Sequence, residues 1–502
     1  LFDKVKDNTE DEKIKGDCAY YIANAAVRLN QPGADDLMED FVTRYPTSTK
    51  TNSAYLDVAD YYFKTGKYPL ARRWYDRVDE KAMSRKDRER FYFNNGYAYF
   101  RSNDKEKAET YFNKVRDSKE YGAQAKYYLG YIAYEGDDYE SANEYFEEVK
   151  GNQRYSEDLS YFQADMNFKL GNFQTQSGVV VQDARLSYET HGELNADRSN
   201  AIVYPTWYTG THEDNRGAIG AGKALDPERY FIIVPDMFCN GLSSSPSNTK
   251  PPQDRGRFPS ITPYDNVIAQ HRLCGEHFGL EQLQLVVGFS MSAQQAFHWA
   301  ALFPEMVKAI APICGTSKTS PHNLLFLEGI KRALTADASW ANGDYVDPPE
   351  NGLRAFTTVY ASWAFSQTFY REGLHLAIGG QHFDSTTEFL EFFHGIFARH
   401  DANNLLGMLE TWQLADVSNH SKFGGDWRAA LSSITCPAIV LPSRTDLYFP
   451  PEDNEVEVAM MPSAELRVIP SVYGHAAGFP GLSTAEDDEF IDNALRELLS
   501  QS

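Results

Sequence analysis

Leu283-Gln-Leu-Val-Val-Gly288-Phe289-Ser290-Met291-Ser292-Ala293-Gln-Gln-Ala-Phe-His-Trp-Ala-Ala301 runs from a short apolar stretch, through a small-residue turn, into a helical pattern. Residues 283–287 have the length and the aliphatic content of a buried strand. Residues 293–301 have apolar side chains at helical spacing. The turn between them, Gly288 to Ser292, is a Gly-x-Ser-x-Gly pattern with serine in the last place. A serine on a sharp strand-to-helix turn needs small residues two places to either side, and Gly288 and Ser292 meet that need. Such a turn lifts the Ser290 hydroxyl off the sheet edge and points a helix N-terminus at it. Ser290 is the candidate nucleophile.

A serine hydroxyl attacks poorly without a base. On a strand–turn–helix scaffold of this kind the acid and the histidine follow the serine in that order. Asp446 stands just after the apolar run Ala438–Leu441, and His475 just after Leu466–Ile469, so both fall at the carboxyl ends of expected strands with Ser290. Asp453 is the nearest rival acid, but it sits in an acidic, helix-like run. A developing oxyanion needs two backbone N–H donors. Met291, next to the nucleophile, is one candidate. The other lies in the loop Pro205-Thr-Trp-Tyr-Thr-Gly210, where Tyr208 is chosen.

Working outward, further short apolar runs lie at Ala201–Tyr204, Tyr230–Val234 and Ala309–Ile313, separated by helical patterns such as Asp487–Leu499. This alternation implies a mainly parallel sheet flanked by helices, with ligands at the carboxyl ends of its strands. Residues 316–430 lack core-strand patterns and hold Trp340, Trp363, Phe365, Phe369, Phe389, Phe392 and Phe393 at helical spacings. They read as a helical cap or a pairing surface, and the aromatics mostly as core.

The first third has a different rhythm. An aromatic followed by x-x-Val recurs at Phe2, Tyr75, Phe112 and Phe146, and Phe41 supplies the aromatic between the first two. Small residues precede the later aromatics by 16 (Ala25, Ala59, Gly96, Gly130), and Ala71, Ala108 and Ala142 precede three of them by 4. Small residues let two antiparallel helices approach, and each aromatic fills the gap to the next pair. Gly66 and Gly136 fall in expected turns. The spacings resemble the tetratricopeptide repeat, which implies an α-helical solenoid with the capacity to grip a peptide. Tyr161–Leu170 continues the pattern as a first helix, with Ala164 at the small position and Phe173 in register. The pattern then stops in mid-repeat at Gln176, as in an excised array fused through a shared helix. An engineered fusion, with a natural fusion bearing divergent caps as the alternative, a boundary at 172/173 and a rigid joint are the expectations.

The 502 residues exceed one ordinary core, and 42% hydrophobic content suffices for packed domains. A formal charge of −23 opposes nucleic acid or an anionic membrane as partner. The five cysteines are widely spaced without Cys-x-x-Cys, which argues against disulfides or zinc and fits a cytoplasmic home. Gly217-x-x-x-x-Gly222-Lys223 ends in Ala224 where a phosphate loop needs Ser or Thr, so nucleotide binding is set aside.

Residues 173–502 also resemble a known family as a whole. Leu194–Asn200, Thr209-Gly-Thr-His212, Ala224–Ile233, Ser290-Met291, Gly343-Asp-Tyr, Asp446–Pro450 and Tyr473-Gly-His475 are similar to the homoserine O-acetyltransferase branch of the α/β-hydrolase fold. The resemblance implies a Ser290–Asp446–His475 triad, an acyl-serine intermediate, a homodimer through the cap helices, and a small acyl substrate. No cofactor is implied beyond acyl-CoA as an acyl donor. The family transferases usually have Gly-Gly-Ser-Met-Gly-Gly at the elbow and Asp after the histidine; this chain has Gly-Phe-Ser-Met-Ser-Ala and Ala476. Their cap arginine has its nearest counterpart in Arg354, out of register. Acyl transfer and ester hydrolysis both stay open, as does a binding scaffold built on the repeats.

Overall fold

The computed structural model describes residues 2–29, 31, 33–65, 67–102, 104–135, 139–149 and 166–501. The chain divides into two compact units, Leu1–Gln163 and Ala164–Ser502.

In the first unit, the described helices pair as Glu12–Arg28 with Ala34–Arg44, Thr51–Lys64 with Tyr68–Tyr75, Arg85–Arg101 with Lys105–Asn113, and Gly122–Glu135 with Tyr139–Val149. Phe41, Tyr75, Phe112 and Phe146 are each buried to 1% exposure or less, and Ala59, Ala71, Ala108 and Ala142 are buried opposite them. Two expected positions differ. Phe2 is exposed and stacks on Tyr21. Ala25 is also exposed; the connection after Arg28 is longer than the one after Lys64, so Ala23 takes the buried small position. Gly66, Gly136 and Ala164 lie outside the described residues.

Gly130 shows why a glycine is needed at a helix crossing: an added Cβ would lie 2.5 Å from the Phe146 ring. Alanine gains about 1 kcal/mol of helix propensity over glycine, and overpacking a filled site costs about 1–3 kcal/mol. Gly130→Ala is therefore expected to lower the repeat's stability by about 1 kcal/mol, and Phe146→Leu in the same chain to restore part of it. Thermal melts followed by circular dichroism check this; an upward shift for Gly130→Ala alone would contradict it.

The second unit is built on an eight-stranded sheet. Its strands are β1 (Met166–Gln174), β2 (Val180–His191), β3 (Ala201–Val203), β4 (Phe231–Pro235), β5 (Leu285–Phe289), β6 (Ile310–Ile313), β9 (Ala438–Val440) and β10 (Ala464–Leu466). A two-stranded hairpin, β7 (Ala377–Ile378) and β8 (Gln381–His382), lies in the cap. The order across the large sheet is β1-β2-β4-β3-β5-β6-β9-β10. β2 runs antiparallel to both its neighbours, and the remaining adjacent pairs are parallel. β3 to β6 are buried throughout, as strands covered on both faces must be. Between β6 and β9 the chain forms the cap, chiefly the helices Pro321–Thr335, Glu350–Ala364, Thr386–Phe397 and Ala402–Gln413. No helix among the described residues is long and apolar enough to cross a membrane.

The helical reading of Tyr161–Leu170 is corrected from Met166 onward, where β1 pairs with β2; residues 161–165 lie outside the described residues. Leu170 and Phe173 are buried in the core of the second unit, and the register shifts at Gly171, whose φ is +65°. Alternation with one bulge placed Phe173 where a helical repeat would also have put an aromatic. Phe173 packs on Phe238, with ring centroids 5.4 Å apart, so the second unit begins before residue 173. The last expected strand also shifts: β10 ends at Leu466, and Ile469 forms an isolated bridge with Ser443.

Candidate active site

β5 delivers Ser290 into a turn with φ 59° and ψ −124°, and the helix Met291–Leu302 starts at the next residue. A non-glycine residue in this region stores about 1–3 kcal/mol and needs firm support. The support is visible. The Ser290 N–H donates to the Ile313 carbonyl at 2.9 Å. A Cβ on Gly288 would lie 2.3 Å from the Ser292 carbonyl carbon, and one on Gly315 would lie 2.6 Å from the Ser290 carbonyl oxygen.

The structure brings the three residues expected from the sequence into one hydrogen-bonded chain. His475 Nε2 lies 2.9 Å from Ser290 Oγ, and His475 Nδ1 lies 2.7 Å from Asp446 Oδ2. All three are buried, at 3%, 6% and 4% exposure respectively for Ser290, His475 and Asp446. Asp446 Oδ1 accepts from the Tyr448 and Phe449 N–H groups at 2.8 and 3.1 Å, which fixes the carboxylate's rotation. The acid and histidine loops are tied through Thr445: its hydroxyl donates to the Ser471 carbonyl and accepts from the Gly474 N–H, both at 3.1 Å. Phe289, Tyr448 and Phe449 surround the imidazole with centroids 4.7, 4.9 and 5.6 Å away. Asp453 lies on the helix Pro451–Val458 and interacts with Ser320 instead.

Met291 is the first residue of its helix, so its N–H precedes the intrahelical ladder. Tyr208 lines the cavity that contains Ser290 and His475. The loop holding Tyr208 is anchored by groups the sequence reading missed. Ser292 Oγ donates to the Pro205 carbonyl at 2.6 Å, so the serine that replaces the usual glycine ties the elbow to that loop. Gln295 Nε2 donates to the Thr206 carbonyl at 3.0 Å, Gln270 Nε2 donates to Gln295 Oε1, and Trp299 Nε1 donates to Gln270 Oε1. His212 and Asp236 form a second buried pair at 2.6 Å, and Asn240 links Asp236 to the Gly210 carbonyl. A signal existed: Ser292, Gln294, Gln295 and His298 interrupt a helix that is otherwise apolar, and polar side chains in a buried helix need partners.

The cavity measures about 350 Å³. Its wall is largely aromatic, with Trp207, Phe289, Tyr360, Phe365, Phe397 and Phe479. Phe365 and Phe393 of the cap thus face the cavity as well as the core, while Phe392 is exposed. Asp214, Arg399 and His400 add charged or titratable groups. Burial pushes the His400 imidazole below its ordinary range. Arg354 does not line the cavity and pairs with Glu391 at 2.7 Å.

Behind the elbow lies Glu457, 1% exposed, which accepts from the Ser317 N–H and hydroxyl and from Asn454 Nδ2. Asn454 also donates to the carbonyl of Gly315, the glycine packed on Ser290. Burial pushes the Glu457 carboxyl up to about 7, against the pull of those donors. Between its ordinary value of 4.5 and about 7, the folded protein therefore holds a proton that the unfolded chain has released. Its contribution to stability is whole below the lower value and is lost as pH rises through the upper one, by roughly 3 kcal/mol. Glu457→Gln has no charge to bury, so its stability relative to the unsubstituted protein should improve between about pH 5 and about pH 8. Denaturant titrations across that range check this; parallel curves would contradict it.

The α/β-hydrolase fold model matches residues 208–481, more than half of the chain. The chain belongs to the α/β-hydrolase fold family. This α/β hydrolase is 40% identical over 335 residues to an ethyl acetate hydrolase of Pseudomonas veronii, covering 66% of this chain and 94% of that one. It is 31% identical to a homoserine O-acetyltransferase of Trichormus variabilis, covering 62% and 89%. Among solved structures, an acetylester hydrolase from Corynebacterium glutamicum matches with a TM-score of 0.64 and 36% identity, covering 70% and 99%. A tetratricopeptide-repeat model matches residues 93–158 of the same hydrolase chain.

Proposed function

We propose that this α/β hydrolase cleaves short-chain acyl esters, acetates above all, with Ser290 as nucleophile. The observation that carries the reading is the buried chain Ser290–His475–Asp446 opening on an aromatic cavity. Ser290 Oγ attacks the acyl carbon while His475 Nε2 takes its proton, and Asp446 holds the Nδ1–H and steadies the imidazolium. The N–H groups of Met291 and Tyr208 receive the oxyanion. His475 then protonates the departing alcohol. Water, deprotonated by the same imidazole, releases the acid and returns the hydroxyl.

Water is favoured over homoserine as acceptor by Phe289 against the imidazole and by the engagement of Arg354 with Glu391, outside the cavity lining. The ethyl acetate hydrolase relative supports the same choice. Transfer to an amino-acid acceptor is the second reading, favoured by the opposite charges of Asp214 and Arg399 in the cavity wall. Leu324, Leu325 and Phe392 expose apolar area on the cap, which fits pairing of two copies there. A monomer mass in solution would remove that part of the reading.

The deciding experiment compares p-nitrophenyl acetate, butyrate and octanoate, ethyl acetate, and acetyl-CoA with homoserine. The expected result is the highest kcat/KM on acetates, falling with chain length. Acetyl transfer to homoserine outrunning acetate hydrolysis would overturn the assignment.

A further inference from the structure

Trp207-Tyr208-Thr209-Gly210 is a closed four-residue turn: the Gly210 N–H donates to the Trp207 carbonyl at 2.9 Å. Its third residue, Thr209, has a φ of +64°. Turns with a left-handed third residue ordinarily take glycine or asparagine there, because a side chain branched at Cβ crowds the backbone. Such strain persists only where the surroundings enforce it, and it collects in the walls of active sites. Thr209 lines the cavity together with Ser290 and His475. We propose that Thr209 is a positioning residue for ester cleavage, holding the Tyr208–Thr209 peptide so that the Tyr208 N–H stays aimed at the oxyanion. This rests on the reading of Tyr208 as an oxyanion donor beside Ser290.

Three contacts enforce the strained form. The Thr209 hydroxyl donates to the Tyr208 carbonyl at 2.6 Å. That contact spans the bond whose rotation is the φ of Thr209, so it holds only while φ stays near its present value. On one side of the peptide, the buried Tyr208 ring stacks on Tyr360 with centroids 5.7 Å apart, and its hydroxyl donates to the Leu405 carbonyl at 3.3 Å. On the other side, the Gly210 carbonyl accepts from Asn240 Nδ2 at 3.3 Å, and Asn240 is itself held on Asp236 at 2.8 Å.

With both ends fixed, the softest motion left in the turn is rotation of the Tyr208–Thr209 peptide. Rotation would carry Thr209 to negative φ, the ordinary form for a residue that is not glycine, and relieve its strain. It would also change ψ of Tyr208 and redirect the Tyr208 N–H against the fixed ring. The threonine hydroxyl opposes that rotation. Glycine at this position removes the strain and the hydroxyl together, whereas serine keeps the hydroxyl.

Thr209→Gly, Thr209→Ser and Thr209→Val in the full chain test this, each with kcat and KM on p-nitrophenyl acetate and a thermal melt. Thr209→Gly is expected to raise the melting midpoint of the hydrolase unit by about 1–3 °C, since glycine adopts positive φ freely. It should nevertheless lower kcat at least about tenfold with KM within about twofold, as a misaimed oxyanion donor does. Thr209→Ser should keep kcat within about threefold, because it keeps the donor. Thr209→Val, which has the shape without the hydroxyl, should lose as much as glycine; if it does not fold, the glycine and serine variants decide. A threonine with a structural role alone would not move stability and kcat in opposite directions. The rate at which a fluorophosphonate labels Ser290 reads the same donor without depending on the ester, and it should fall at least about tenfold in Thr209→Gly. Turnover and labelling by Thr209→Gly at the unsubstituted rates would overturn the proposal and leave acetate cleavage standing. A loss confined to KM, or a serine variant as impaired as the glycine one, would overturn it equally. If the unsubstituted chain takes the label but does not cleave acetates, the acetate reading falls and the labelling rates alone decide Thr209.

Discussion

Ser290→Ala is expected to lower kcat on p-nitrophenyl acetate by about 10⁴- to 10⁶-fold while leaving KM within a few-fold, because the lost group acts in the transition state. The fold should survive. The Ser290 side chain hydrogen-bonds with His475, and the strained turn is held by backbone contacts and by the tight fits of Gly288 and Gly315. Steady-state kinetics and a thermal melt on the same preparation separate the two effects. A variant retaining a tenth of the activity would mean that ester cleavage proceeds elsewhere. His475→Ala should fall nearly as far, and the double variant no further, since the pair works as one unit.

Gly288→Ala is expected to cost at least about 3 kcal/mol of stability and most of the activity, although it adds a single methyl group. The added carbon would meet the Ser292 carbonyl carbon and oxygen at 2.3 Å, and backbone there cannot yield without moving the helix Met291–Leu302. That helix start carries the Met291 N–H, and Ser292 ties the elbow to Pro205, so displacement disturbs both proposed oxyanion donors at once. Denaturant unfolding together with acetate turnover measures this. A wild-type midpoint with wild-type turnover would show that the elbow is looser than its geometry.

The meeting of Ser290, His475 and Asp446 in one hydrogen-bonded chain was legible because chain order and strand ends gather them. Ser290, Asp446 and His475 each follow an apolar run, and a parallel sheet gathers such ends on one edge. The solenoid was legible because one small-and-aromatic register recurs; Gly130 is needed where Phe146 crosses it, and Gly96 fits tightly against Phe112. β1 was misread because Leu170 and Phe173, separated by a bulge at Gly171, satisfy both a bulged strand and the repeat register. Local pattern cannot arbitrate there, since the antiparallel partner β2 decides it. The buttresses of the Tyr208 loop were invisible for a related reason. Gln270 lies 25 residues from Gln295, and only tertiary packing joins them. The aromatic cap was read mainly as core, and Phe365 and Phe393 serve as core and cavity wall together.

The central claim is that Ser290 carries the acyl group between the ester and water. Rapid-quench mass spectrometry of the full chain mixed with p-nitrophenyl acetate at low pH tests it most directly. A transient mass increase of one acetyl group is expected on the peptide containing Ser290, absent in Ser290→Ala and decaying at the rate of turnover. Acetate hydrolysis at full rate with no acetyl on that peptide, or with the label on another residue at the rate of turnover, would contradict it.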